Sequence, residues 1–133
     1  MITAKELGFR IGLQTCRWAG ECREVVSRIC ERSDILRLFG DNVNVVLGLY
    51  AGRYNKNGYY SFLNSQSEFQ IDHIWLLNST TIIDPTLWTI QGGKSCIYIG
   101  PPNGHIELDK KTPDQYLKWI KQMQGGQVNA NKL

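Results

Sequence analysis

Apolar residues recur at Cys22, Val25, Val26, Ile29 and Cys30, the i, i+3, i+4, i+7, i+8 spacing of a single helix face. Glu24, Arg28, Glu31 and Arg32 cover the remaining faces, and Glu24 with Arg28 forms a favourable i, i+4 pair. The pattern predicts a helix over 21–32 with Cys22 in its first turn, facing inward. Gly20 just before it lets the backbone bend close to its neighbours. Upstream, Thr3-Ala4-Lys5-Glu6 fits a capping box and predicts a short first helix, and residues 13–20 read as a loop. Downstream, Ser33-Asp34 caps a second short helix through Leu36, Leu38 and Phe39, which Gly40 stops.

After Gly40 the pattern loses its helical period. Residues 43–50 are rich in Val and Leu on both faces and read as a central strand. Residues 51–70 form a polar stretch threaded with Tyr54, Tyr59, Tyr60, Phe62 and Phe69, with a hairpin-turn signal at Asn57-Gly58. Residues 72–77 and 80–84 read as two strands joined at a polar turn, and 95–99 as another short strand. Pro101-Pro102-Asn103-Gly104 is a turn that leaves His105 exposed. Thr112-Pro113-Asp114-Gln115 opens a closing helix, with Thr at the N-cap, Pro at N1 and Gln at N3. Tyr116, Leu117, Ile120 and Met123 give that helix its apolar face. Helices before and after an antiparallel sheet argue for an α+β fold, helices packed on a small sheet. The expected organisation is one domain over 1–124 and a flexible tail over 125–133.

The register of the 72–84 hairpin carries the first chemistry. With Asn78 and Ser79 as the turn, Leu77 pairs with Thr80 and His73 falls directly opposite Asp84, on the same face, with Cβ atoms about 5 Å apart. A four-residue loop over 77–80 keeps that register. A carboxylate that orients an imidazole is half of a nucleophilic triad. Cys22, in the first turn of its helix, is placed to supply the other half. Free cysteine titrates near 8.5, and only the thiolate is a useful nucleophile. Helix-start N–H groups favour the anion, and an imidazole takes up and returns the proton.

Composition narrows the alternatives. The net charge of +3 comes without any Lys/Arg block, so nucleic acid is not an indicated partner. Six of the seven arginines lie between Arg10 and Arg37 and read as a solvated helix face partly neutralised by Glu24 and Glu31. No apolar run approaches the ~18 residues of a membrane span, and the first residues lack a signal-peptide layout. A cytoplasmic, reducing location is the expectation. Cys16, Cys22, Cys30 and Cys96 show no two-residue spacing, and His73 and His105 lie far from them in sequence. Neither a zinc site nor disulfides are therefore expected. Cys16 is a rival nucleophile that is not at a helix start; Cys30 and Cys96 read as core. The bland alternatives are an inert helix cysteine for Cys22, a satisfied sheet histidine for His73 and a strand-end carboxylate for Asp84. Trp75, two residues from His73, shares its face and either shields it or fills the core. The tyrosines of 54–69 read equally as a substrate-facing flap or as anchors of the loop.

Taken in order, Gly20-Glu21-Cys22 opening a helix that carries Ser27, the strand ending near Gly48, His73-Ile74-Trp75 and Asp84-Pro85-Thr86 resemble the transglutaminase-like group of papain-fold cysteine enzymes. The resemblance spans 20–88, about half the chain. It implies a papain-like core with Cys22 as nucleophile, His73 as general base and acid, and Asp84 as orienting carboxylate. Members of the group act as peptidases, amidases, deamidases or amide cross-linking enzymes, so a protein or peptide substrate is expected, with no metal or organic cofactor. The implied oxyanion donors are the Cys22 N–H and the Gln14 side chain, and Trp75, Tyr54 and Tyr59 are the candidate substrate contacts. Arg23 departs from the aromatic residue or Gly that many members place after the cysteine. A binding module that keeps the fold without turnover is the alternative.

Overall fold

The computed structural model describes residues 1–53 and 68–132. The Asn57-Gly58 turn signal lies outside them, as do Tyr54 and Tyr59. Three helices come first: α1 (Ala4–Ile11), α2 (Cys22–Cys30) and α3 (Ser33–Leu36), with short 3-10 turns at Thr15–Arg17 and Arg37–Phe39. Strands β1 (Val43–Arg53), β2 (Glu68–Asn78) and β3 (Thr81–Asp84) follow, then α4 (Leu87–Gln91), β4 (Tyr98–Gly100), β5 (His105–Lys111) and α5 (Pro113–Lys132). The protein is α+β, with five α-helices and a five-stranded antiparallel sheet in the order β4-β3-β2-β1-β5 among the described residues. No described helix is long and apolar enough to cross a membrane.

Local chemistry sets the helix starts. The Thr3 hydroxyl accepts the Glu6 N–H at 3.1 Å, which starts α1. The Gln115 N–H donates to the Thr112 hydroxyl at 3.2 Å while the Thr112 N–H donates to Gln115 Oε1 at 3.0 Å, a reciprocal capping box that starts α5. The α5 backbone then stays helical past Gly125-Gly126 to Lys132. Arg28 pairs with Glu24 at 2.8 Å and donates to the carbonyls of Ile11 and Gly12, so one cation closes the end of α1 against α2. The core forms where these helices meet one face of the sheet: Val25, Val26 and Ile29 of α2, Leu7 of α1 and Tyr116 of α5 pack on Val45, Ile74, Leu76 and Ile83.

The β2–β3 register differs from the expected one. Asn78 pairs with Thr81, Leu77 with Ile82 and Leu76 with Ile83, so Ser79 and Thr80 form the turn, with Ser79 at a positive φ of 57°. Asn78 is kept out of the turn because its amide donates to the Phe39 carbonyl at 3.0 Å. The slip is two residues, and an even slip leaves each side chain on its face. His73 and Asp84 therefore become diagonal rather than opposite neighbours, still within reach.

Two elements were not expected from the sequence. α4 follows Asp84-Pro85-Thr86, and β5 pairs with β1 although its sequence is largely charged and exposed. The β1–β5 register shifts between Leu47, opposite Asp109, and Gly48, opposite Glu107. Leu108 is the extra residue of a β-bulge. Without that bulge, His105 would face away from His73; with it, His105 sits opposite Tyr50 on the His73 face.

Gly48 keeps this crossing clear. A Cβ there would lie 2.1 Å from the Ile106 carbonyl oxygen and 2.7 Å from the Trp75 ring. Gly48→Ala is expected to cost about 1–3 kcal/mol of folding stability, read as a lower urea midpoint at unchanged slope. An unchanged midpoint would show that β5 and Trp75 yield freely.

Candidate active site

Cys22 is the first residue of α2. Gly20, at φ 74°, turns the chain into the helix, and Glu21 makes no side-chain cap. The leading N–H groups of α2 thus keep their donor capacity at the thiol. The turn is anchored from inside: the Tyr116 hydroxyl donates to the Arg23 carbonyl at 2.8 Å, as does the Ser27 hydroxyl at 2.8 Å. Cys22 is half-buried. It lines, together with His73, a cavity of about 570 Å³ whose apolar wall includes Leu47, Leu108, Trp119 and Met123. A second, smaller space of about 50 Å³ is also lined by both residues and by Thr86.

His73 is 3% exposed and Asp84 is fully buried. His73 Nε2 lies 2.7 Å from Asp84 Oδ2. The carboxylate accepts there, so Nε2 carries a proton and Nδ1 is the nitrogen left to exchange one. The other carboxylate oxygen accepts the Thr86 N–H at 3.2 Å, with the Thr86 hydroxyl at 3.5 Å. Burial alone would disfavour the charged imidazole. The charge and hydrogen bond of Asp84, with a hydrogen bond and charge from Cys22, outweigh it and raise the His73 pKa to about 10. For Asp84, burial again opposes charge, but the His73 charge and the hydrogen bonds from His105 and His73 bring its pKa down to about 2. The site favours a buried ion pair with the thiol coupled to its cationic member.

His105 was expected at the surface, yet its side chain is 1% exposed and its Nε2 lies 2.8 Å from the same Asp84 oxygen. Tyr50 approaches both imidazoles edge-on, at 6.1 Å from His73 and 5.4 Å from His105. Trp75, 2% exposed, lies 5.7 Å from His73 and 4.8 Å from His105. It packs with Val46 and Ile82 and walls the imidazoles from solvent. Sequence reasoning missed His105 because its placement depends on a bulge that no residue pattern announces.

Two histidines and a carboxylate are a donor set that suits a metal, and the three ligand-type atoms lie within 4.8 Å of one another. The distances favour hydrogen bonds. Tetrahedral zinc with bonds of about 2.1 Å holds its ligand atoms roughly 3.4 Å apart, whereas both imidazole nitrogens stand 2.7–2.8 Å from one oxygen.

Gln14 is exposed and outside the residues that line either cavity with Cys22; its Oε1 faces the Cys16 thiol at 3.7 Å. Tyr54 and Tyr59 lie outside the described residues. Cys16 is exposed, and Cys96 is exposed rather than core because it precedes the short edge strand β4. Cys30 is buried, and burial pushes its thiol up to about 12. Arg10 and Arg32 pair with Glu6 and Asp34, and Arg23 lies 5.9 Å over the Trp119 ring. Among the described arginines, Arg23 is the one that lines the cleft.

No family model, curated protein or solved structure matches the chain. The fold and site therefore define it on their own terms: an α+β protein whose helix-start thiol and imidazole line one cleft, the imidazole held by a buried carboxylate.

The ion pair should leave a mark on folding. Asp84's contribution is complete above its usual 3.8 and is lost as pH falls toward about 2. His73's is complete below its usual 6.5 and is lost as pH rises toward about 10. Stability should therefore peak between 3.8 and 6.5 and decline on both sides. Asp84→Asn should flatten this profile and lower its maximum by roughly 3–5 kcal/mol. Urea titrations across pH test this; a wild-type maximum on the alkaline side would contradict it.

Proposed function

We propose that this protein is a thiol-dependent enzyme acting on an amide bond of a protein or peptide, built on a transglutaminase-like, papain-like core. The observation that carries the reading is a half-buried thiol at a helix start, lining the same cleft as an imidazole whose far nitrogen is held 2.7 Å from a buried carboxylate. The helix bearing Cys22 packs on the sheet that bears His73 and Asp84, and the three follow in the order of that enzyme group.

In this mechanism the thiol proton already resides on His73 Nδ1 in the resting site, and Cys22 attacks the carbonyl carbon. The oxyanion takes hydrogen bonds at the uncapped start of α2. The C–N bond breaks as His73 returns the proton to the leaving amine, which leaves a thioester on Cys22. His73 then takes a proton from water, the hydroxide carbon–oxygen bond forms, and the acid departs as the thiol is reprotonated. An amine in place of water gives a new amide instead. Asp84 keeps the Nε2 proton in place and supports the imidazolium throughout. The apolar wall of Leu47, Leu108, Trp119 and Met123 suits a peptide chain.

That wall also favours a second reading, a module that holds a partner peptide without turnover: Leu108 is 67% exposed beside the cleft. Site-resolved iodoacetamide labelling separates the two. Exposed Cys16 and Cys96 serve as internal references for unassisted thiols. The enzyme reading expects Cys22 to label faster than both at about pH 6, where free thiols are almost wholly protonated, and His73→Ala to slow Cys22 roughly a hundredfold. A Cys22 no faster than the references, or indifferent to His73, would sink the enzyme reading.

A further inference from the structure

One oxygen of Asp84 serves two imidazoles. His105 Nδ1 accepts the Asn103 N–H at 3.1 Å, so that nitrogen carries no proton. The neutral ring then has its proton on Nε2, aimed at Asp84 Oδ2 at 2.8 Å. Tyr98 stacks against His105 at 6.0 Å, and Tyr50 and Trp75 close the other sides. The side chain is thus enclosed, its tautomer set by the backbone, and its donor spent on a carboxylate already held by His73. Among the described residues, the titratable groups facing this cluster include Cys22 from α2, Tyr50 from β1, Tyr98 from β4 and, on the same face of β5 opposite Gly48, the exposed Glu107; Asp72, beside His73 on β2, alternates to the other face and lines the cleft.

We propose that His105 is a positioning residue of the active site: a neutral imidazole that donates to Asp84, shares its oxygen with His73, and thereby limits how strongly the carboxylate holds His73. The role rests on reading Cys22, His73 and Asp84 as the reacting group. The physical case is that a carboxylate's negative charge is divided among its donors. Remove one and the remaining partner feels more of it. His73 must both take and release a proton in each half of the reaction, so a carboxylate that held its imidazolium too firmly would slow the release. Thr86 restrains the other oxygen, so Asp84 stays in place when His105 is changed. The bulge at Leu108 is what brings His105 to this face, and Leu108 itself projects beside the cleft.

The test is nitrogen-15 NMR of the imidazoles in the full chain. In the wild type, His105 is expected as the neutral Nε2–H tautomer with a bare Nδ1 at neutral pH. His105→Phe fills the space without a donor and should raise the His73 titration midpoint by about one pH unit, a tenfold gain in proton affinity. His105→Gln keeps an N–H near the same point and should restore the wild-type midpoint. A side chain that merely fills space would move neither. A His105 protonated on Nδ1, an unmoved His73 in His105→Phe, or stoichiometric zinc whose retention requires His105 would each overturn the proposal. If His105→Phe does not fold, the wild-type tautomer still decides. Because the imidazoles are observed directly, an inert Cys22 would defeat the proposed function while leaving the His105 tautomer and the His73 midpoints as measured.

Discussion

A carboxylate without solvent, Asp84, is the constraint around which the sheet is arranged. A buried charge is tolerated only when it is paired and hydrogen-bonded, and Asp84 has two imidazoles on one oxygen and Thr86 on the other. Its partners come from β2, β5 and the segment leading to α4, three separate elements. The same contacts that stabilise the charge lock β3 to its neighbours. They also leave His73 with one nitrogen engaged and the other available to the thiol. Structural and chemical roles are served by the same bonds, which makes Asp84 the least replaceable residue of the site.

The rest of the fold delivers groups to that carboxylate. α2 is held at its first turn by Tyr116 and Ser27, so the thiol position is set from the core side. Gly48 gives up a side chain so that Trp75 and the Ile106 carbonyl can close over the strand crossing. The bulge at Leu108 turns one strand by a residue and so changes which side chains face His73. These are small backbone devices. Each sets a group that faces or lines the site, where a misplacement would be felt most.

Much of this was legible in the sequence, and the reasons it was or was not are physical. The α2 stripe and the caps at Thr3 and Thr112 are local, because helix signals lie within one turn. The α+β class followed from the order of leading helices, antiparallel strands and a closing helix. The His73–Asp84 register was read two residues out, because the competing hydrogen bond from Asn78 to the Phe39 carbonyl is a contact between distant segments. The even slip preserved the shared face. β5 was invisible because its residues are charged and its partner is supplied by pairing, and His105 was misplaced with it. Cys96 lies at an edge that burial patterns do not mark. Sequence patterns record local preference; diagonal contacts and bulges are decided by tertiary pairing.

The central claim is that thiol, imidazole and carboxylate act as one coupled unit. Its most direct measurement is the His73 titration by imidazole NMR in the wild type, Cys22→Ser and Asp84→Asn. The account predicts that wild-type His73 stays an imidazolium well above its usual 6.5, and that both variants bring the titration down toward that value. A wild-type His73 titrating at its usual value, or one unmoved by Cys22→Ser, would contradict the coupling and with it the triad.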